Sequence, residues 1–248
     1  MTGHPALDFG VCDIAPVDDV RLMGGGNVMA DFAAMRPAGG FDFIMADPPW
    51  SFANFSASGE AKNAKAHYDC MPIADIVALP VSVLAAGDCV LWMWATNPML
   101  PEALDCLRAW GFTFKTSGVW VKRTVHGKDA FGTGYLLRSS SEPFLIGTRG
   151  APVTARNVRS TVASYGEHQL RPGAGWSDTV VTIEAGLREH SRKPDAAFLA
   201  AEAMMPDARR CELFSRSARA GWSGWGNEAF RFDPAPGPGE RAAVGAVA

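Results

Sequence analysis

The stretch Phe41-Asp42-Phe43-Ile44-Met45-Ala46-Asp47-Pro48-Pro49-Trp50 combines a short apolar run with two prolines that stop it. Proline has no backbone N–H to give to a neighbouring strand, so an apolar run ending at Asp-Pro-Pro is typical of a buried strand. We therefore predict a strand that ends at Ala46, with Asp47 at its carboxyl end.

The sequence that follows predicts alternating strands and helices. Residues 89–95 are continuously apolar, as expected of a strand that is covered on both faces of a parallel sheet. Asn97-Pro98 predicts the start of a helix that ends at Gly111. Further strands are predicted at 119–121, 143–147 and 211–214, and a further helix at 194–204. This alternation predicts an α/β fold with a doubly wound, mostly parallel sheet.

The length of 248 residues suits one α/β domain with a sizeable core. We expect an N-terminal extension at 1–27, the folded domain at 28–232 and a disordered tail at 233–248, where proline, glycine and alanine dominate. No apolar run approaches the roughly 20 residues of a membrane-spanning helix, so we expect a cytoplasmic protein with no membrane partner.

The cysteines and histidines predict neither a disulfide framework nor a metal site. The five cysteines are an odd number and include no C-x-x-C pair. The histidines have no spacing relative to them that is typical of metal ligands.

The charge distribution indicates a basic segment in the middle of the chain. Residues 115–171 contain nine basic and three acidic side chains, although the whole chain has a net charge of −3. Such a segment is a candidate surface for a polyanion, and we expect Arg156 and Arg159 to contact nucleic-acid phosphates. A solvated surface with chance clustering of charges is the alternative.

The four residues from Asp47 to Trp50 have the groups needed to activate an exocyclic amine. The amine of adenine is a weak nucleophile, and the Asp47 carboxylate together with a carbonyl of Pro48 or Pro49 can accept its two N–H bonds. Trp50 offers a face on which an extruded base can stack. The alternative is a tight turn after a strand, with Trp50 in the core.

This tetrapeptide resembles the signature of the MT-A70 family of adenine-N6 methyltransferases. Further blocks of that family agree in order with this chain across residues 28–232, which makes coincidence improbable. These blocks are His67-Tyr68-x-x-Met71, Trp92-x-Trp94, Trp110-Gly111-Phe112, Trp120-Val121-Lys122, Gly132-x-Gly134-Tyr135 with Arg138 and Glu142, His190-Ser191-Arg192-Lys193-Pro194, Glu212-Leu213-Phe214-Ser215-Arg216 and Gly226-Asn227.

The resemblance implies S-adenosyl-L-methionine as cofactor and assigns residues to it. Asp47 lies between cofactor and target amine in that family, and Lys193 corresponds to a lysine that faces the cofactor. Asp31 resembles a residue near the methionine or adenine moiety. The residues implied at the ribose and carboxylate of the cofactor are Phe214, Arg216 and Asn227.

Two departures from the family pattern concern the cofactor site. Members of the messenger-RNA type have a His-Asn pair where this chain has Ser217-Ala218-Arg219, which puts the ribose contacts of that pair in doubt. Glu228 replaces a glutamine of the same group. The catalytic strand also precedes the Glu-Leu-Phe strand, as in the permuted motif order of β-class amino methyltransferases.

The activity implied is methyl transfer to adenine N6 in DNA, without a metal ion. Transfer to RNA is one alternative, and a catalytically silent subunit that binds nucleic acid is another. The segment Ser51 to Tyr68 has the composition of a long functional loop, in which Tyr68 is expected to contact the base or to pack. A homodimer is an assembly state that the sequence leaves open.

Overall fold

The computed structural model describes residues 27–51, 70–124, 126, 128–132, 134, 136–163 and 193–227. They form a seven-stranded sheet in the order β5-β3-β4-β2-β1-β6-β7. The strands are β1 Phe41–Ala46, β2 Ala85–Trp94, β3 Thr113–Val121, β4 Ser141–Arg149, β5 Thr161–Ala163, β6 Arg210–Leu213 and β7 Trp222–Trp225. The α-helices are α1 Val28–Met35, α2 Ile73–Ala78, α3 Leu100–Ala109 and α4 Asp195–Met204, and short 3-10 helices span Val81–Val83 and Asn97–Met99.

The sheet is mixed, with four parallel and two antiparallel pairings. β1 lies between β2 and β6 and is parallel to both, and β7 continues the parallel set beside β6. β4 runs antiparallel to both β2 and β3, and β5 is parallel to β3. The C-terminal ends of β1, β2 and β6 therefore meet at one side of the sheet, which we call the carboxyl edge.

Helices cover both faces of the sheet. One face packs its apolar residues, such as Ile44 and Leu91, against α1, α2 and α3. The opposite face packs Phe43, Met45 and Trp92 against α4. Successive residues from Phe43 to Ala46 thus alternate between two cores, which explains why this part of β1 is apolar. The predicted doubly wound α/β fold is confirmed.

Local structure differs from the sequence prediction at several places, and helices α1 and α2 were not predicted. Asn97-Pro98 begins a 3-10 turn rather than the α-helix, and α3 begins at Leu100 after that turn. The helix does end before Gly111, whose φ of +83° is the left-handed geometry that glycine adopts without strain. Strands β5 and β7 were not predicted, because runs of three and four residues are too short for a clear alternation pattern.

No helix in the described part of the chain is long and apolar enough to cross a membrane. The predicted extension at 1–27 and tail at 233–248 lie outside the described residues, except for Asn27. The cytoplasmic location and the domain boundaries stay predictions.

Candidate active site

Asp47 lies directly after β1, at the carboxyl edge. Its backbone N–H donates to the carbonyl of Leu213 in β6, at 3.3 Å. The register of the parallel pair places Ala46 beside Leu213, so the residues that follow β1 and β6 lie next to each other. Crevices at the carboxyl ends of parallel strands are where open α/β sheets bind ligands.

The side chain of Asp47 forms an ion pair with Lys193, which precedes α4. The Lys193 Nζ lies 2.7 Å from Asp47 Oδ2 and 2.9 Å from Oε1 of Glu142 in β4. Oε2 of Glu142 in turn lies 2.7 Å from Nζ of Lys122. We call Lys122, Glu142, Lys193 and Asp47 the charge chain, because cations and anions alternate along it.

The charge chain lies on the aromatic face of the sheet that α4 covers. The Lys193 side chain is only 7% exposed, and its ammonium lies 5.5 Å from the centre of the Trp94 ring. The Lys122 ammonium lies 4.7 Å from the Trp120 ring. Indole faces attract cations, so the two rings help to hold the ammonium groups in a place with little water.

Burial and neighbouring charges act in opposite directions on these groups. Burial raises the pKa of Asp47, the Lys193 ammonium opposes that rise and the Glu142 carboxylate adds to it. Burial also acts to raise the pKa of Glu142, but Lys193 and Lys122 outweigh it and bring that pKa down to about 2. The two carboxylates outweigh the burial of Lys193 and raise its pKa. Lys193 is therefore a permanent cation between two carboxylates.

The prolines and Trp50 form an ordered turn. The carbonyl of Pro48 accepts from the Trp50 N–H at 2.8 Å, and that of Pro49 accepts from the Met71 N–H at 3.1 Å. Each carbonyl has a second lone pair that is still able to accept from a substrate. The Trp50 ring is 3% exposed and donates to the carbonyl of Trp94 at 3.0 Å, which is the core position considered above as the alternative. Its stacking on a base stays a prediction.

Trp225 links two of the residues assigned to the cofactor. Its indole N–H donates to Asp31 in α1 at 3.4 Å, and its ring meets that of Phe214 edge-on, with centroids 5.6 Å apart. Phe214 directly follows β6 and has a φ of +63°, an uncommon conformation for a residue other than glycine. Such strained positions concentrate at ligand sites.

Arg216 and Asn227 follow the ends of β6 and β7. The charge of Arg216 acts to lower the pKa of Asp47, which places the two groups in the same electrostatic environment. Asn227 is exposed in the turn after β7. The backbones at this point approach closely, because a side chain at Gly226 would meet Ser215 backbone atoms at 2.9 Å.

The two arginines expected to contact nucleic-acid phosphates lie on a connection that leads from the side opposite the carboxyl edge to β5, which pairs with the last three residues of β3. Arg156 and Arg159 are exposed in the connection between β4 and β5. The neighbouring Ala155 donates its N–H to Met204, at the end of α4 far from Lys193. Tyr68 and most of the predicted loop at 51–68 lie outside the described residues.

Sequence reasoning missed one contact of this site and the importance of two of its residues. The charge chain joins Glu142 to Lys193 across 51 positions, and no local pattern encodes such a contact. Trp225 was not singled out, and Glu212 was noted only as part of a block. Burial raises the pKa of Glu212 to about 7, while its hydrogen bond from Ser215, 3.0 Å long, opposes that rise.

No group of three or more His, Cys, Asp or Glu side chains among the described residues could hold a metal ion. The expectation of a reaction without metal stays a prediction.

Comparison with known proteins identifies relatives that match most of this chain. The model of the MT-A70 family matches residues 41–228. An N(6)-adenosine-methyltransferase MT-A70-like protein of Arabidopsis thaliana is 30% identical over 77% of this chain and 24% of its own length. The human N(6)-adenine-specific methyltransferase METTL4 is 27% identical over 83% of this chain and 42% of its own length.

A bacterial relative matches along most of both chains. The type II methyltransferase M.MunI of Mycoplasma is 27% identical over 82% of this chain and 83% of its own length. By contrast, this chain spans about a quarter of the length of its plant relatives.

Proposed function

Because the chain belongs to the MT-A70 family, we propose that it transfers a methyl group from S-adenosyl-L-methionine to N6 of adenine in DNA. The observation that carries this proposal is the partly buried Asp47 carboxylate at the carboxyl edge, paired at 2.7 Å with Lys193. Catalysis of this transfer needs a rigid acceptor at the amine, and an acceptor held by an ion pair is preorganised.

The residues around Trp225 fit the cofactor. The Phe214 ring offers an apolar face beside the ribose, and the Asp31 carboxylate is able to accept from an amino group of the methionine or adenine moiety. Arg216 and Asn227 have the polarity to bind the cofactor carboxylate and ribose. When bound, S-adenosyl-L-methionine supplies an electrophilic methyl group on a positively charged sulfur.

Asp47 and the two proline carbonyls provide the acceptors for the amine. Lys193 occupies Oδ2 of Asp47, and we assign Oδ1 to an N–H of the adenine amine. A second N–H reaches the free lone pair of the Pro48 or Pro49 carbonyl. Both contacts favour tetrahedral geometry at the nitrogen, in which its lone pair becomes available to the methyl group.

The target base has to leave its helix to reach this buried edge. We propose that Tyr68 and Trp50 contact the extruded base. Arg156 and Arg159 are proposed to bind backbone phosphates away from the base.

The choice of DNA rests on how the relatives align. M.MunI, a type II methyltransferase, is 27% identical over 82% of this chain and is matched over 83% of its own length. The second candidate is RNA, which is favoured by the 30% identity to the plant relative named an adenosine methyltransferase.

The deciding experiment is methyl transfer from labelled S-adenosyl-L-methionine to duplex DNA, single-stranded DNA and RNA of the same sequence. We expect N6-methyladenine in DNA, identified by sequencing of the modified positions. If methylated product formed in RNA alone, RNA would be the substrate and the proposal of DNA would be wrong. Nucleic-acid binding without product on any of the three would identify a silent subunit.

The Asp47→Asn variant tests the proposed catalytic residue. The amide keeps the size of the side chain but loses the charge that accepts the amine proton, so turnover should fall by about a hundredfold to a thousandfold. The matched control is Asp105→Asn, because Asp105 is an exposed carboxylate of α3 in a surface pair with Arg108. Turnover of Asp47→Asn within about threefold of the parent would exclude the assigned role.

A further inference from the structure

Glu142 joins the two lysines of the charge chain. It lies in β4, opposite Trp120 of β3, and its side chain is 13% exposed. Both of its oxygens bind ammonium groups, one from Lys193 at 2.9 Å and one from Lys122 at 2.7 Å. The Lys193 ammonium thus joins the Glu142 and Asp47 carboxylates by direct contacts.

Stability alone does not account for this arrangement. The side chains of Asp47, Glu142 and Lys193 are each less than a fifth exposed. Removing such charges from water costs several kcal/mol per ion, and a well-packed apolar replacement is often at least as stable. A buried chain of charges is better explained by a task that needs one of them in a defined place. The member at the carboxyl edge is Asp47, the acceptor in the proposed reaction.

The geometry shows what Glu142 adds to Lys193. A lysine ammonium is a point charge on a flexible four-carbon stem, and one contact leaves it able to rotate. Two carboxylates on different strands, Asp47 after β1 and Glu142 in β4, hold the ammonium from two directions. Lys122 then holds Glu142.

We propose that Glu142 is a positioning residue for methyl transfer, which holds the Lys193 ammonium so that Asp47 keeps the orientation in which it receives the target amine. Lys122 serves the same purpose one step further from the reaction, by anchoring Glu142. This inference rests on the proposed function, since it names the support of the same carboxylate.

The proposal has an electrostatic consequence that packing alone lacks. The charged groups that act on Asp47 among the described residues are Lys193 before α4, Glu142 in β4, Arg216 after β6 and Glu212 within β6. Without the Glu142 charge, Lys193 is left to Asp47 alone and the pKa of Asp47 falls. Without the Lys122 charge, Glu142 is less compensated and the pKa of Asp47 rises.

The test compares Glu142→Gln and Lys122→Met by single-turnover kinetics across a range of pH, with labelled cofactor and saturating nucleic acid. Glu142→Gln should lower the rate constant by about tenfold to a hundredfold, while KM for the cofactor changes by less than about threefold. The acid limb of the pH profile should move to lower pH in Glu142→Gln and to higher pH in Lys122→Met. Lys122→Arg restores the cation and should return the limb to its place.

Two further measurements keep the outcome clear. Glu142→Asp retains the charge but is too short to hold both ammonium groups, so it should slow transfer with the acid limb near that of the parent. Carbon NMR titration of the Asp47 carboxyl follows its pKa without any turnover, and that pKa should fall in Glu142→Gln.

The results separate the two proposals. The role of Glu142 would be overturned if the acid limb of the pH profile and the pKa of Asp47 were the same in Glu142→Gln as in the parent. This holds even if the variant were slower or melted at a lower temperature. A parent protein that methylates no nucleic acid would overturn the proposed function. The NMR titration would still decide whether Glu142 controls Asp47.

Discussion

At the scale of single residues, Lys193 determines how the site has to be tested. It holds Asp47 and Glu142 together in a largely buried place, and removing one partner of a buried ion pair costs about 3–5 kcal/mol. A Lys193→Ala variant would therefore lose stability and cofactor affinity together. A residue outside the charge chain gives a cleaner test of the cofactor site.

Asn227 is that residue, because it is exposed after β7 and lies outside the charge chain. Asn227→Ala should weaken S-adenosyl-L-methionine binding by about 1–3 kcal/mol, the usual cost of losing a hydrogen bond to a polar or charged ligand group. Isothermal calorimetry measures the change, and Asn157→Ala on the connection between β4 and β5 is the control. Equal affinity in parent and Asn227→Ala would place the cofactor away from the end of β7.

At the scale of elements, the central strands were predictable and the short edge strands were not. Residues 43–46 of β1 and 89–94 of β2 are buried on both faces, so they form unbroken apolar runs that the sequence shows directly. β7 is four residues long and owes its place to its pairing with β6, a contact that local sequence does not encode.

In the candidate site, too, some positions could be predicted from the local sequence and others depend on the fold. Asp47 was predictable because its position depends on the end of one strand and the prolines that follow. The link between Glu142 and Lys193 depends on the fold, since β4 and the start of α4 meet only after the sheet has formed. The Gly111 helix end was local and predictable, whereas the 3-10 turn at 97–99 was taken for the first turn of the helix.

Strand β6 contains a carboxyl group that should make stability depend on pH. Burial raises the pKa of Glu212 to about 7, above its ordinary value of 4.5, so the folded state holds the proton more tightly than the unfolded chain. The resulting stability is fully present below about pH 4.5 and is lost as the pH rises through about 7.

Glu212→Gln should remove this dependence. The amide has no proton to lose, so the free energy of unfolding at about pH 8 should exceed that of the parent by about 1–3 kcal/mol, with little difference at about pH 4. Urea denaturation at both pH values measures it, with the exposed Asp207→Asn as control. If the free energy of unfolding changed with pH equally in Glu212→Gln and in the parent, Glu212 would not titrate in this pH range in the folded chain.

At the scale of the whole molecule, the basic segment at 115–171 is divided by the fold. Lys122 is used in the charge chain, Arg123 pairs with Asp129 at 2.7 Å, and Arg149 donates to the Ser82 carbonyl on the side opposite the carboxyl edge. Since β3 ends and β4 begins at the carboxyl edge, their connection at 122–140 extends from that edge. Lys128 and Arg138 lie on this connection, whereas the connection that contains Arg156 contacts the far end of α4.

The two connections therefore predict two distinguishable contributions to nucleic-acid binding. A protein with a net negative charge binds a polyanion through a local basic surface, and each phosphate contact contributes about 0.9 to the salt slope on duplex DNA. Arg156→Glu with Arg159→Glu should weaken DNA binding and flatten the slope by roughly one to two.

Lys128→Glu with Arg138→Glu makes the same change of charge beside the carboxyl edge. This double variant should weaken DNA binding and also lower the rate of methyl transfer at saturating DNA, because phosphates near the extruded base set its position. Cofactor affinity should stay constant in both double variants. Binding isotherms at several salt concentrations measure the slopes. If the Arg156 and Arg159 variant kept the parent slope while the Lys128 and Arg138 variant lost it, the nucleic acid would lie across the connection between β3 and β4 alone, and the connection between β4 and β5 would be an ordinary solvated surface.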